Sequence, residues 1–190
     1  MSHKFLLKSI FHQLLNTIDH ELAELTRLQG CKFCGGALHL ASYPRSPFGL
    51  PVQFREYYTE RLSFCCNDCR KRTTPPSVRF FGRRWFPAPL LILISALLGS
   101  VNDQRIEKLK DIFGVIVSES TWKRWRRWWR DAFTKTSFWT QNKGHFLFSD
   151  EKPCFFPRTL LMTFQGDLID RLKRLLIFFS PMTAGALRAV

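Results

Sequence analysis

Apolar residues recur along this chain at more than one period, and the change of period divides it. From Phe5 to Leu28 they fall at Leu7, Phe11, Leu14, Ile18, Leu22 and Leu25, a three-to-four spacing that lays a single stripe along a helix. Gly30 ends that helix. Turn residues crowd Tyr43 to Pro51, Phe54 to Phe64 reads as strand, and Val78-Arg79-Phe80-Phe81 is a further short strand candidate. Pro87-Ala88-Pro89 then punctuates the start of a helical part. Its first segment, Pro89 to Gly99, is the longest apolar run and reads as a buried helix, far short of the roughly 20 residues that cross a bilayer.

The next helix is predicted over Gln104 to Phe113, capped by Asp103 and stopped by Gly114, with Ile106, Leu109, Ile112 and Phe113 facing a core. Val115-Ile116-Val117 supplies the apolar connection, and Ser118 or Ser120 caps a second helix. Helix, glycine turn and capped helix make a helix-turn-helix. At about 100° per residue, Trp122, Trp125, Trp129, Ala132 and Phe133 share one arc and are expected inside. Ser120, Lys123, Arg124 and Arg127 lie opposite with Asp131, and Arg126 and Arg130 flank them. Such a ridge suits the DNA major groove, where an arginine bonds two acceptors of one guanine. Ser120, Lys123, Arg124 and Arg127 are therefore assigned to bases, and Arg126 and Arg130 to phosphate. Trp128 sits at the edge of the arc, where its ring can lie against sugar and phosphate.

The β region carries the most specific chemistry. Cys31-Lys32-Phe33-Cys34-Gly35-Gly36 and Cys66-Asn67-Asp68-Cys69-Arg70 each present two cysteines from one tight turn. Together they supply the four soft ligands of one tetrahedral structural zinc ion. The residue after the second cysteine of each pair often needs positive φ, a demand that glycine meets freely and Arg70 less well. Cys65 to Cys69 is a second possible spacing, although the two-residue gap of Cys66 matches the first pair better. The competing readings are disulfides, which belong to secreted chains, and a redox motif, which needs one pair beside a βαβ unit. Phe5, Leu6 and Leu7 are interrupted by Lys8 and do not form a signal peptide, so a cytoplasmic protein with reduced Cys65 and Cys154 is expected.

Charge adds a partner. The chain has 29 Lys and Arg against 15 Asp and Glu, a net charge of +14. The excess is concentrated from Arg61 to Leu90 and from Ser118 to Lys135, beside aromatic residues, as on a polyanion-binding surface. Phe81-Gly82-Arg83-Arg84-Trp85 can serve as a minor-groove arm or as a charged turn. Toward the C-terminus, Leu168, Leu172, Leu175 and Leu176 form one amphipathic helix beside Arg171, Lys173 and Arg174. Packing within the protein or against a second copy is expected of it ahead of membrane contact.

The fold class implied is α+β, mainly α: an N-terminal helix in 1–29, a zinc ribbon in 30–86, a helix-turn-helix in 87–135 and a tail in 136–190. This arrangement, with Phe64-Cys65-Cys66-Asn67-Asp68-Cys69-Arg70-Lys71-Arg72 and Val117-Ser118-Glu119-Ser120-Thr121-Trp122-Lys123-Arg124-Trp125, resembles the DNA-binding front half of bacterial insertion-sequence transposases. It also resembles the small zinc-finger helix-turn-helix regulators of some insertion elements. The resemblance covers about Gly30 to Phe133. It implies binding to double-stranded element or operator DNA, with a homodimer or a partner transposase. The family's cutting domain holds metal ions on an acidic triad. The span from Thr136 to Val190 has only Asp150, Glu151, Asp167 and Asp170, too little for such a domain. The expectation is thus a non-catalytic accessory factor or transcriptional regulator with no small-molecule substrate. Its rivals are a module that binds RNA or protein, and the remnant of a transposase or nuclease.

Overall fold

In the computed structural model, which describes residues 8–46, 50, 52–81, 87–97, 118–146 and 155–184, helix α1 covers Ser9–Gln29. It ends at Gly30, with φ of 76° and a position where a Cβ would lie 2.8 Å from the Gly35 carbonyl oxygen. Five short strands follow: β1 (Leu38–Leu40), β2 (Tyr43–Pro44), β3 (Glu60–Arg61), β4 (Phe64–Cys66) and β5 (Arg72–Thr73). They form an antiparallel sheet in the order β1-β4-β5 and a separate β2-β3 pair. The remaining described elements are helical, so the fold is mainly α with a small antiparallel sheet. The chain divides into two units, Met1–Pro89 with Leu176–Val190, and Leu90–Leu175.

In the first unit α1 is not a separate element but belongs with the sheet. Ala23 of α1 joins Cys31, Leu38, Leu62, Phe64 and Cys66 in one buried cluster. Further along, His12 stacks on Phe54 with ring centroids 4.4 Å apart, and its Nδ1 lies 3.0 Å from the Tyr58 hydroxyl. The face that α1 buries therefore differs from the expected stripe. Phe11, His12, Leu15, Asp19 and Ala23 point inward, while Leu14 and Leu25 are exposed. Two polar side chains sit on the buried face because each finds partners there, which apolar periodicity cannot register.

Asp19 is the centre of that arrangement. Its Oδ2 accepts from the Ser77 hydroxyl at 2.6 Å and from Arg79 Nε at 2.8 Å. Its Oδ1 accepts from the Val78 N–H at 2.6 Å. Ser77 Oγ in turn accepts from the Arg79 and Phe80 N–H groups, and Thr183 Oγ1 accepts from the Ser77 N–H at 2.7 Å. Arg79 also donates to the Tyr57 carbonyl. The expected strand Val78 to Phe81 is thus replaced by an irregular segment whose N–H groups are taken by side chains, leaving one bridge from Phe80 to Pro87. The expected strand from Phe54 to Phe64 is met at Glu60–Arg61 and at Phe64 but not before them. Val52–Tyr58 is a 3-10 helix, which brings Phe54 and Tyr58 together with Leu50 and Phe80 in a second buried cluster.

Helix α2 (Ala88–Leu97) is the expected apolar helix, with Leu91 and Ile92 buried. No helix among the described residues is long and apolar enough to cross a membrane. In the second unit, α3 (Glu119–Arg127) starts at Ser118, whose Oγ accepts from the Thr121 N–H at 3.3 Å. The chain continues through a π-helical turn, Trp128–Ala132, and a 3-10 turn, Phe133–Lys135. The wider turn holds about one residue more than an α turn. Ala132, expected inside, is exposed, and Phe133 takes the inward position. Helices α4 (Ser137–Asn142), α5 (Arg158–Thr163) and α6 (Leu168–Phe179) complete the described part. The tail contributes core: Phe156 packs on Phe133 and Trp139 at centroid distances of 5.3 and 4.9 Å, and Phe146 packs on Phe164. Helix α6 carries the predicted apolar face, burying Leu172, Leu175, Leu176 and Phe179, so that face is unavailable to a membrane.

Candidate metal centre and nucleic-acid interface

The two cysteine turns are built alike. In the first, the Cys31 N–H donates to the Gly36 carbonyl at 2.9 Å and the Gly35 N–H to the Cys31 carbonyl at 2.7 Å. In the second, the Cys66 N–H donates to the Lys71 carbonyl at 3.0 Å. The residue after the second cysteine has positive φ in both, 76° at Gly35 and 58° at Arg70. Arg70 holds this left-handed conformation at a cost of roughly 1 kcal/mol that Gly35 avoids. Gly36 answers to a different constraint, since a Cβ there would meet Asp68 Oδ2 at 2.1 Å and Cys66 Sγ at 3.1 Å.

Strand pairing brings the turns together. Leu38 of β1 faces Cys66 of β4, and His39 faces Cys65. Successive strand residues point to opposite sides, so Cys66 enters the buried cluster and Cys65 points away, toward the Arg70 carbonyl. The pairing thereby separates the two candidate ligands. The sulfurs of Cys31, Cys34, Cys66 and Cys69 lie within 4.8 Å of one another, with Cys31 to Cys69 at 3.6 Å and Cys34 to Cys66 at 3.4 Å. A tetrahedron of thiolates around an ion at the usual zinc–sulfur distance of about 2.3 Å has edges of about 3.8 Å. The cluster is therefore able to hold one metal ion. It is also wrong for disulfides, which require sulfurs about 2.05 Å apart.

Electrostatics favour a cation at the centre. The Phe33 N–H, with weaker help from the Cys34 N–H and the Cys69 and Cys66 thiols, overcomes burial and pulls the Cys31 thiol down to about 6. The Lys71 N–H favours the Cys69 thiolate, but burial and the thiols of Cys34, Cys31 and Cys66 push it up to about 12. Four sulfurs this close cannot all carry charge alone. A divalent ion removes that conflict and lets every sulfur act as a thiolate.

The second candidate surface is α3. Trp122, Trp125 and Trp129 are buried, and Ser120, Lys123, Arg124, Arg126, Arg127 and Arg130 are all exposed. Lys123 pairs with Glu119 at 2.8 Å, and Arg130 pairs with Asp131 at 2.6 Å. Arg126 and Arg127 make no ion pair among the described residues, so the ridge keeps free positive charge. Trp128 is half-buried against Trp129 and Phe133. The preceding helix Gln104 to Phe113, its turn, the arm around Arg83 and Arg84, and Cys154, Asp150 and Glu151 lie outside the described residues.

The first unit uses its basic residues differently. Arg61 and Arg79, two of those in the window from Arg61 to Leu90, are buried. Arg79 pairs with Asp19, and Arg61 donates to the Pro75 carbonyl. Among the described residues, the exposed basic residues of that window are Arg70, Lys71 and Arg72. Sequence reasoning counted all of these as surface charge, and it missed that Lys71 Nζ lies 4.7 Å from the Phe33 ring centroid and the Arg72 guanidinium 5.6 Å from that of Tyr43. Compared with known proteins, the chain matches no protein-family model, no curated protein and no solved structure.

Proposed function

We propose that this protein is a zinc-stapled, sequence-preferring binder of double-stranded DNA. The observation that carries the reading is the division of α3 into a buried tryptophan side and an exposed basic ridge. Ser120, Lys123, Arg124 and Arg127 meet base edges in the major groove, and Arg126 and Arg130 meet phosphate. Zinc is the ion that best suits four thiolates. It is closed by its four ligands, leaves no position for substrate, and acts in folding. The role that follows is a cytoplasmic, non-catalytic accessory factor or regulator of a mobile element, working alone, as a homodimer or beside a transposase. A reading in which α3 binds RNA by stacking is disfavoured, because Trp122 and Trp125 are inside.

Fluorescence anisotropy with labelled duplex DNA tests the proposal. Affinity should fall steeply between about 50 and 200 mM salt. No affinity, or affinity indifferent to salt, sinks it. Arg124→Gln and Arg127→Gln should each cost about 1–3 kcal/mol against the preferred sequence and relax the preference. Arg126→Gln should weaken all sequences alike and lower the salt slope by about one.

A further inference from the structure

Helix α1 is apolar over more of its circumference than its own unit uses. At about 100° per residue and counting from Ile10, the inward residues Phe11, Leu15, Asp19, His12 and Ala23 fall between about 100° and 220°. Ile10, Leu28, Leu14, Leu25 and Ile18 fall between about 0° and 80°, on the adjacent sector. Ile18 is half-buried there, while Ile10, Leu14, Leu25 and Leu28 are 70, 39, 57 and 68% exposed. One apolar sector is spent on the core of the unit, and a second, lying beside it along the whole helix, still faces outward. Exposed apolar side chains are ordinary when scattered singly, and an aligned row of them marks a contact surface.

The order of the row points to what covers it. Ile10 and Leu28 are equidistant from Asp19, and Leu14 and Leu25 are equidistant from the bond between Asp19 and His20, at the centre of Ser9–Gln29. The row therefore maps onto itself when the helix is reversed, which is what an isologous two-fold contact between antiparallel helices requires. We infer that α1 pairs with α1 of a second copy of this chain, antiparallel about an axis at its centre, with Leu14 against the partner's Leu25 and Ile10 against the partner's Leu28. The direction also follows from Glu21, the exposed acid inside the sector. A parallel pair sets the two Glu21 carboxylates side by side, whereas the antiparallel pair sets each across from the partner's Ile18. Nucleic acid and an anionic membrane are poor occupants, because the charged residues in and next to the sector, Glu21 and Glu24, are acidic. A helix about 31 Å long covers less than the roughly 800 Å² per partner of a standard interface, so the pair is weak and reversible, in the micromolar range. This deepens the function proposed above by naming the partner: two copies joined this way carry two α3 ridges related by one two-fold axis, as two half-sites need.

Sedimentation equilibrium of the full zinc-loaded chain without DNA tests the pairing. Wild type should show a reversible monomer–dimer equilibrium between about 1 and 200 μM. Leu14→Lys and Leu25→Glu should each weaken it at least tenfold, with zinc content and circular dichroism unchanged because both positions are exposed. An equimolar mixture of the two variants should recover it, since the antiparallel pair sets the new charges opposite each other and keeps one Leu14–Leu25 contact. Glu21→Leu should tighten it. A wild type that stays monomeric at about 200 μM, variants that associate as wild type does, or a mixture no better than its components overturns the inference. A monomer that binds duplex DNA leaves the α3 reading standing, and a dimer that binds none overturns that reading and supports this pairing.

Discussion

The first unit buries arginine and α3 of the second does not. In the first, Arg61 and Arg79 turn inward and Arg79 meets a buried carboxylate. On α3 in the second, every arginine stays outside and the tryptophans turn inward. The difference lies in the partners inside: the first unit offers the Asp19 carboxylate and backbone carbonyls to its arginines, whereas the inward side of α3 is aromatic. The second unit has Trp122, Trp125, Trp129, Phe133, Trp139 and Phe156 with which to build a core, and large aromatic rings bury much surface each. The first also buries Phe11, Leu15, Phe54, Tyr58 and Phe80, and adds to them a polar node around Asp19. Buried positive charge is therefore part of the structure in the first unit, which also exposes Arg70, Lys71 and Arg72, while along α3 the charge is all at the surface.

The comparison is open to direct tests. The largest effect should come from Cys66→Ser, because the free energy of binding a structural zinc is folding free energy, on the order of 10 kcal/mol. Metal stoichiometry should fall toward zero and the β signal in circular dichroism should be lost. Cys65→Ser should keep both, and equal loss in the two variants would refute the assignment of Cys66 as ligand. Asp19→Ala should follow, destabilising by about 3–5 kcal/mol in urea melts, since it strands a buried guanidinium. A loss under about 1 kcal/mol would show that the node is not what holds this unit.

Trp129→Ala breaks the other side of the comparison. It should cost about 3–5 kcal/mol through the cavity it leaves, with zinc content intact. Loss of zinc on this change would show that the units are not energetically separate. The smallest effect is expected from Arg70→Gly, which relieves the positive φ and should raise stability by up to about 1 kcal/mol. A drop in the melting midpoint would mean that the Arg70 side chain contributes more than its backbone costs.

These cases also mark what the sequence could disclose. The four clustered cysteines were legible because coordination chemistry fixes residue type and spacing together. The choice between Cys65 and Cys66 was settled by strand register, which the spacing only favoured. The length of α1 followed from periodicity, but its buried face did not, because His12 and Asp19 are stabilised inside by Tyr58, Ser77, Val78 and Arg79 from remote segments. The inward arc of α3 was read correctly through Trp129 and Phe133 and failed at Ala132, where the π turn shifts the phase. Phe146, Phe156 and Phe164 lie in a stretch without regular period, so nothing in their order announced the core they complete.

The bond from Ser77 to Thr183 spans 106 positions, and it gives the molecule an order of assembly. Leu90–Leu175 is a continuous stretch inserted into the first unit. Domains close as their chain emerges during synthesis, so the inserted unit can be complete while the one that begins first still lacks its last piece. The Ser77 N–H must wait for an acceptor made more than a hundred codons later. A chain released before Thr183 leaves the ribosome carries every metal ligand and every basic residue of α3, yet leaves the polar node of its first unit open.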